Sequence, residues 1–149
     1  MKKLVLVLAI CVFSFIETNA QVEFKVVTSV ESIVPSGLGR SRLISATTDR
    51  DFEDFTSEQT EEDNTRNKSK RKDIRVKDFE ETKLLNFYNI AGIRFQNIAS
   101  NDVLIGSKIN TMVAEGWELA FVTSAVESDS GKDDGQGIFI TRYIFKRNK

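Results

Sequence analysis

Residues 49–77 constrain the fold most, because this charged segment has too few apolar side chains to form a core. Its acidic residues come first and its basic residues follow. The acidic block is Asp49, Asp51, Glu53, Asp54, Glu58, Glu61, Glu62 and Asp63, and the basic block is Arg66, Lys68, Lys70, Arg71, Lys72, Arg75 and Lys77. Burying its few apolar side chains would not offset the conformational entropy that the segment loses when it becomes ordered. We predict a mobile insertion whose halves attract one another, rather than a basic arm for a phosphate-rich partner.

The first twenty residues have the anatomy of a bacterial signal peptide. Lys2 and Lys3 precede an apolar stretch at 4–16, and cleavage between Ala20 and Gln21 would leave one domain, 21–149. The apolar stretch is shorter than the roughly 18 to 20 residues that span a bilayer. We therefore expect export to the periplasm, the outer surface or the medium, with no membrane span after cleavage.

Residue types that the chain lacks exclude several chemistries. It has no histidine, and its one cysteine, Cys11, lies inside the predicted signal peptide. Ser-His and Cys-His dyads, the usual zinc sites and disulfides are therefore excluded from the mature chain. With a formal net charge of −1, the chain lacks the positive electrostatic field that is typical of a nucleic-acid binder. We expect no cofactor, no catalytic residue and no nucleic-acid partner.

Alternating apolar residues predict most of the strands. In residues 22–30, Val22, Phe24, Val26 and Val30 form the apolar side that we expect to face the core. A return strand is predicted at 42–48. Two further strands, at 117–122 and 138–146, are predicted to form a hairpin around a long loop at 127–137, with Phe121 on the same side as Trp117.

Two helices are predicted after the charged segment. Asp78 as N-cap and a cluster of apolar residues favour a helix over 79–91. A second helix is predicted from Ser100 or Asn101 to Gly116, where a left-handed cap would let Trp117 pack back over Met112. The elements together predict an α+β fold, a small, mostly antiparallel sheet of four to five strands with two helices on one face.

Three segments resemble a small bacterial family, domain of unknown function 4177. They are F-K-V-V at 24–27, E-G-W-E-L at 115–119 and Y-I-F-K-R at 143–147, about forty residues of the chain with their surroundings. In that family a strand leads to a helix, a Gly-Trp-Glu-Leu strand and a final strand that ends in Lys-Arg. The resemblance implies a compact α+β unit and brings no assigned activity and no catalytic residue.

Few residues are candidates for binding or chemistry. Asp129, Asp133 and Asp134 lie in a glycine-containing loop that could supply oxygen ligands to calcium, although the spacing does not fit a helix-loop-helix calcium site. Arg40 and Arg42 follow a glycine-rich turn and are the best candidates for anion binding. Glu118 is the one carboxylate that we would nominate for acid catalysis, and the alternation places it opposite the core.

By elimination, the sequence predicts an exported, non-enzymatic protein that binds another macromolecule in the envelope or outside the cell. The first alternative is a protein that binds a small ligand, an anion or calcium. The second alternative is a carboxylate-dependent hydrolase. The sequence specifies neither the partner nor the oligomeric state.

Overall fold

The computed structural model describes residues 21–32, 41–89, 91–126 and 137–149. Within them lie β1 (Val22–Ser32), β2 (Arg42–Ala46), α1 (Arg71–Ile74), β3 (Phe79–Lys83), β4 (Tyr88–Asn89), β5 (Gly92–Ile93), α2 (Phe95–Ala114), β6 (Glu118–Val126) and β7 (Ile138–Asn148). Five strands form one sheet in the order β3-β2-β1-β7-β6, and β4 and β5 form a second. All the pairings are antiparallel. The predicted α+β class is confirmed, with two helices and a five-stranded sheet.

The core lies between α2 and one face of the five-stranded sheet. Its buried apolar residues are Val27, Leu43, Leu84, Ile105, Met112, Trp117 and Phe145. α1 buries none of its residues, so the long helix alone contributes helical side chains to this core. No helix in the described ranges is both long and apolar enough to cross a membrane.

The predicted core side of β1 is wrong. Val27 and Ser29 are buried, whereas Phe24 on the opposite side is 63% exposed, as expected for alternating side chains on a strand. The same reversal affects Phe121, because a β-bulge between Leu119 and Phe121 shifts the register of β6. Leu119 stays beside the core, and Phe121 turns to the other face, where it is 61% exposed.

The helix predicted over 79–91 is also wrong, because distant residues bind its backbone. The first five residues form β3 and pair with β2. The next segment, 84–86, lies between the sheet and α2. The Leu84 N–H donates to the Ser41 carbonyl at 3.1 Å, and the Leu85 N–H donates to Asn101 Oδ1 at 2.8 Å. These partners stabilise a non-helical chain that local helix signals do not reveal.

The end of α2 confirms the predicted cap, although the helix begins earlier than predicted, at Phe95. Gly116 has a φ of +86°. Its N–H donates to the Val113 carbonyl, and the Trp117 N–H donates to the Met112 carbonyl, both at 3.0 Å. This is the hydrogen-bond pattern of a Schellman motif, and the buried side chains of Trp117 and Met112 belong to the same core cluster.

Alanine substitutions at two glycines should have opposite effects on stability. A Cβ at Gly116 has room, with Arg147 Cδ at 3.9 Å, but the positive φ should cost about 1–2 kcal/mol for an L-residue. Gly106 lies inside α2 with open space around a Cβ, so Gly106→Ala should stabilise by about 0.5–1 kcal/mol. Urea unfolding of both variants measures this difference, and destabilisation by Gly106→Ala would contradict the helical assignment.

The charged segment 49–77 is almost entirely exposed. It contains a 3₁₀ turn, Glu53–Phe55, and α1. Its hydrogen bonds are mostly internal, such as those from Asn67 Nδ2 to the carbonyl oxygens of Asp54 and Thr56. None of the four ion pairs among the described residues joins its acidic and basic blocks. The predicted attraction between the two halves therefore forms no ion pair among the described residues. The predicted mobility of the segment stays a prediction.

Candidate functional site

The sheet face opposite α2 has no helix over it in the described part of the chain, and we call it the open face. Its side chains follow from the register, since residues that pair directly across antiparallel strands share a face. Phe24 pairs with Lys146, Val26 with Ile144 and Val30 with Ile140. Nine of its apolar residues are Val22, Phe24, Val26, Val30, Ile44, Phe79, Phe121, Ile140 and Ile144.

None of these nine apolar side chains is buried. Five are exposed by more than a third of their surface, namely Val22, Phe24, Val26, Phe79 and Phe121. From the lengths of the five strands and standard strand spacings, the face covers about 650 Å². The apolar side chains take up part of this area, and exposed apolar patches that are rimmed by polar residues mark interaction sites.

The open face also has a positive charge. It carries four basic residues, Arg42, Lys83, Arg142 and Lys146, and two acidic residues, Glu81 and Glu118. Arg42 and Glu81 form an ion pair of 2.8 Å, and Lys146 and Glu118 form one of 3.3 Å. Lys83 and Arg142 have no ion-pair partner among the described residues.

Arg142 lies in the apolar centre of the open face. Along β7 it is flanked by Ile140 and Ile144, and its cross-strand neighbours are Thr28 and Thr123. No carboxylate is placed opposite it. A partner that covers this face would have to supply one, because a buried guanidinium without an acceptor is costly.

Two residues singled out from the sequence lie on this face with partners of their own. Arg42 Nε donates to Glu81 Oε1 at 2.8 Å, and another nitrogen of its guanidinium donates to the Ser41 carbonyl at 2.7 Å. Two of the hydrogen-bond donors that Arg42 could offer to an anion are therefore already occupied. Glu118 is exposed and faces Lys146 across the strand pair, on the side away from the core, as the alternation predicts.

The remaining candidates lie outside the described residues. They are Ala20, Arg40, Asp129, Asp133 and Asp134. Gln21, on the other side of the predicted cleavage site, is described, and its carbonyl accepts a hydrogen bond of 2.8 Å from the Lys149 N–H. Within the described ranges, no group of three or more acidic side chains is arranged to hold a metal ion.

A cleft of about 510 Å³ lies where β1 extends past the end of β2. Its lining combines Phe24, Val26, Ala46, Thr47 and Trp117 with the charged residues Glu23, Lys25, Asp49, Glu115 and Arg147. Arg147 donates to Glu23 Oε2 at 2.8 Å and holds the pKa of that carboxyl below its usual range. Two of the five charged residues that line the cleft thus pair with one another.

Trp117 is a core residue, as its position after the helix cap predicts. It is 6% exposed, and the Arg147 guanidinium lies 4.3 Å from the centroid of its ring, within the range of a cation–π contact. The ring is therefore covered on the cleft side by a side chain of the protein itself. On the same core face, burial raises the pKa of the Tyr143 hydroxyl above its usual value.

Comparisons with protein-family models, curated proteins and solved structures find no match to this chain. The resemblance to domain of unknown function 4177 therefore stays a prediction. Its three segments do meet in space. Lys25 and Leu119 both pair with Phe145, so the segments at 24–27, 115–119 and 143–147 lie side by side in the sheet.

The sequence analysis missed the open face and Arg142. The signal was present in β7, whose sequence I-F-I-T-R-Y-I-F is apolar on both sides of the strand. A strand that is apolar on both sides is typical of a sheet with other elements packed on both of its faces. The described helices pack on one face of this sheet.

Proposed function

We propose that the mature chain is an exported, non-enzymatic protein that binds another protein through its open face. The observation that carries this proposal is an exposed apolar sheet face with an unpaired Arg142 at its centre. Such a face loses water-exposed apolar surface when a partner covers it, and apolar burial is the main driving force of association. The signal-peptide anatomy supports export.

Charge indicates the chemistry of the partner. The open face has two more basic than acidic residues, and its unpaired cations are Arg142 and Lys83. A fitting partner presents apolar side chains with carboxylates placed among them. A second copy of the open face fits poorly, because two positively charged faces repel and neither supplies a carboxylate to Arg142.

The absence of histidine and of a mature-chain cysteine supports a binding role over catalysis. The alternative function, small-ligand binding, would use the cleft beside Trp117. Both surfaces carry charges without an ion-pair partner. We favour the open face because it presents more apolar side chains than the cleft, where Arg147 and Glu23 pair with one another.

A fluorescent dye that is apolar and anionic, anilinonaphthalene sulfonate, is a direct probe of the open face. We expect the native 21–149 chain to bind it saturably, and Phe121→Ser to lower the fluorescence several-fold, because Phe121 is an exposed aromatic residue of the open face that lies outside the cleft. Phe95→Ser is the matched control, since Phe95 is 76% exposed at the start of α2, away from the sheet.

Partner capture from envelope and medium extracts then tests the biological role. We expect a protein that binds the wild-type chain and Phe95→Ser, but not Phe24→Ser or Arg142→Glu. Its binding site should be apolar and acidic. A partner that binds all four chains equally would show that another surface is used and would refute the assignment of the open face.

A further inference from the structure

The outer edge of β6 is one of the two edges of the sheet. β6 ends the strand order, and no strand pairs with its outer side among the described residues. All seven residues from Ala120 to Val126 are exposed, so the strand is open on both faces as well as along its edge. Val122 and Val126, which point to the α2 side, are 45% and 58% exposed.

Beyond its bulge, this edge has neither of two common features that protect exposed strands from pairing, a charged residue and a proline. Residues 119–126 read L-A-F-V-T-S-A-V, without a charge or a proline. The opposite edge, β3, reads F-E-E-T-K and has three charged residues in five. Charged side chains on an edge strand disfavour pairing with another chain, whereas an uncharged, apolar edge favours it.

We propose that β6 pairs with β6 of a second copy, antiparallel and around a two-fold axis, so that the sheets join into one of ten strands. This interface is separate from the open face and goes beyond the proposed function. The pairing satisfies the exposed backbone N–H and C=O groups of β6. It also places the exposed Val122 side chain of each copy opposite Ser124 of the other, next to the two-fold axis.

A second copy fits this edge because the edge is self-complementary. It has no charge that would be placed against itself, so the copies meet without repulsion. Two-fold antiparallel pairing is also the closed arrangement that uses the same patch of both copies, and it leaves the charged β3 strands at the outer ends. The two open faces then lie side by side, which would give a partner two adjacent sites.

The bulge in β6 and the two faces of the sheet define the register. Regular pairing with β7 runs from Phe121 to Val126, beyond the bulge. Residues that lie directly opposite one another in antiparallel strands share a face of the sheet. The two-fold axis must therefore pass through a residue of β6 and not between two residues. Axes through Thr123 and through Ser124 each keep five of the six regular residues paired. Thr123 is the one that includes Phe121, which then lies opposite Ala125. A large ring against a small side chain can pack without a clash.

Sedimentation velocity of the 21–149 chain tests the dimer. We expect wild type to be dimeric at micromolar concentration, Val122→Lys to be monomeric, and Thr82→Lys to stay dimeric. Thr82 is the matched control because it is exposed on β3, the opposite edge. Circular dichroism and thermal unfolding of Val122→Lys establish that the monomer is folded.

Disulfide cross-linking tests the register independently. Opposite residues in antiparallel strands lie about 4.5–5.5 Å apart between Cα atoms, within the span of a disulfide. Thr123→Cys introduces the one cysteine of the 21–149 chain. With oxidised glutathione we expect a covalent dimer, and no covalent dimer from Thr82→Cys.

Two results would overturn the proposal. One is a wild-type chain that remains monomeric up to about 1 mM. The other is a dimer that survives Val122→Lys and does not cross-link through Thr123→Cys. If Phe24→Ser dissociates that dimer instead, the open face is the self-association surface and the proposed function fails with it. A monomer whose partner binding still depends on Phe24 refutes the edge pairing alone.

Discussion

Replacing Asn101 by leucine is expected to lower the free energy of unfolding by about 3–5 kcal/mol. Asn101 is on α2 and has no exposed surface. Its side chain accepts from the Leu85 N–H at 2.8 Å and donates to the Leu85 carbonyl at 2.8 Å and to Glu31 Oε1 at 2.9 Å. Leucine has a similar size but leaves all three groups without this partner.

Asn110→Leu is the control, because Asn110 lies on the same helix and is exposed. We expect it to change stability by less than about 0.5 kcal/mol. Asn101→Asp adds a second test. It keeps an acceptor for Leu85 but places a carboxylate against Glu31, so its destabilisation should be larger at neutral pH than in acid. Equal urea midpoints for Asn101→Leu and Asn110→Leu would refute the role of this side chain.

Phe145→Ala is expected to cost about 3–5 kcal/mol, because it removes a large side chain from a close-packed site. Phe145 has no exposed surface, and it lies on β7, an interior strand of the sheet, in the same cluster as Trp117 and Met112. Phe24→Ala removes the same atoms from the neighbouring strand β1. Since Phe24 is on the open face, its loss should cost less than about 1 kcal/mol in the unbound protein.

This pair of substitutions distinguishes the two faces of the sheet. The alternation of β1 alone predicts Phe24 as a core residue, and the structure assigns the core to the other face. Chemical unfolding at low protein concentration measures the difference without interference from association. If Phe24→Ala destabilises as much as Phe145→Ala, the open face is covered in the folded chain and its proposed role in binding is wrong.

Elements defined by nearby residues could be predicted from the sequence. The end of α2 depends on Gly116, Trp117 and Met112, which lie within five positions of one another. The strands β1, β6 and β7 follow from the two-residue period of their apolar side chains. Each of these signals lies within the element that it specifies, so contacts with distant residues did not change the type of the element.

Features that depend on distant partners could not be predicted. The segment at 84–86 is not helical because Ser41 and Asn101 bind its backbone, and no local pattern shows those contacts. The face of β1 was ambiguous because β7, its partner, is apolar on both sides. The two-residue period of the apolar side chains predicts a strand, but it does not say which side of that strand faces the helix. The same ambiguity concealed the candidate site around Arg142.

The ion pair of Glu23 with Arg147 joins residues 124 positions apart, across the two strands at the centre of the sheet. The contact order of the fold is therefore high, and high contact order slows folding. A nascent chain can form the β1–β2 hairpin early, but the middle of the sheet stays open until β7 has been synthesised. Removal of β7 would consequently divide the sheet into two parts rather than shorten it by one strand.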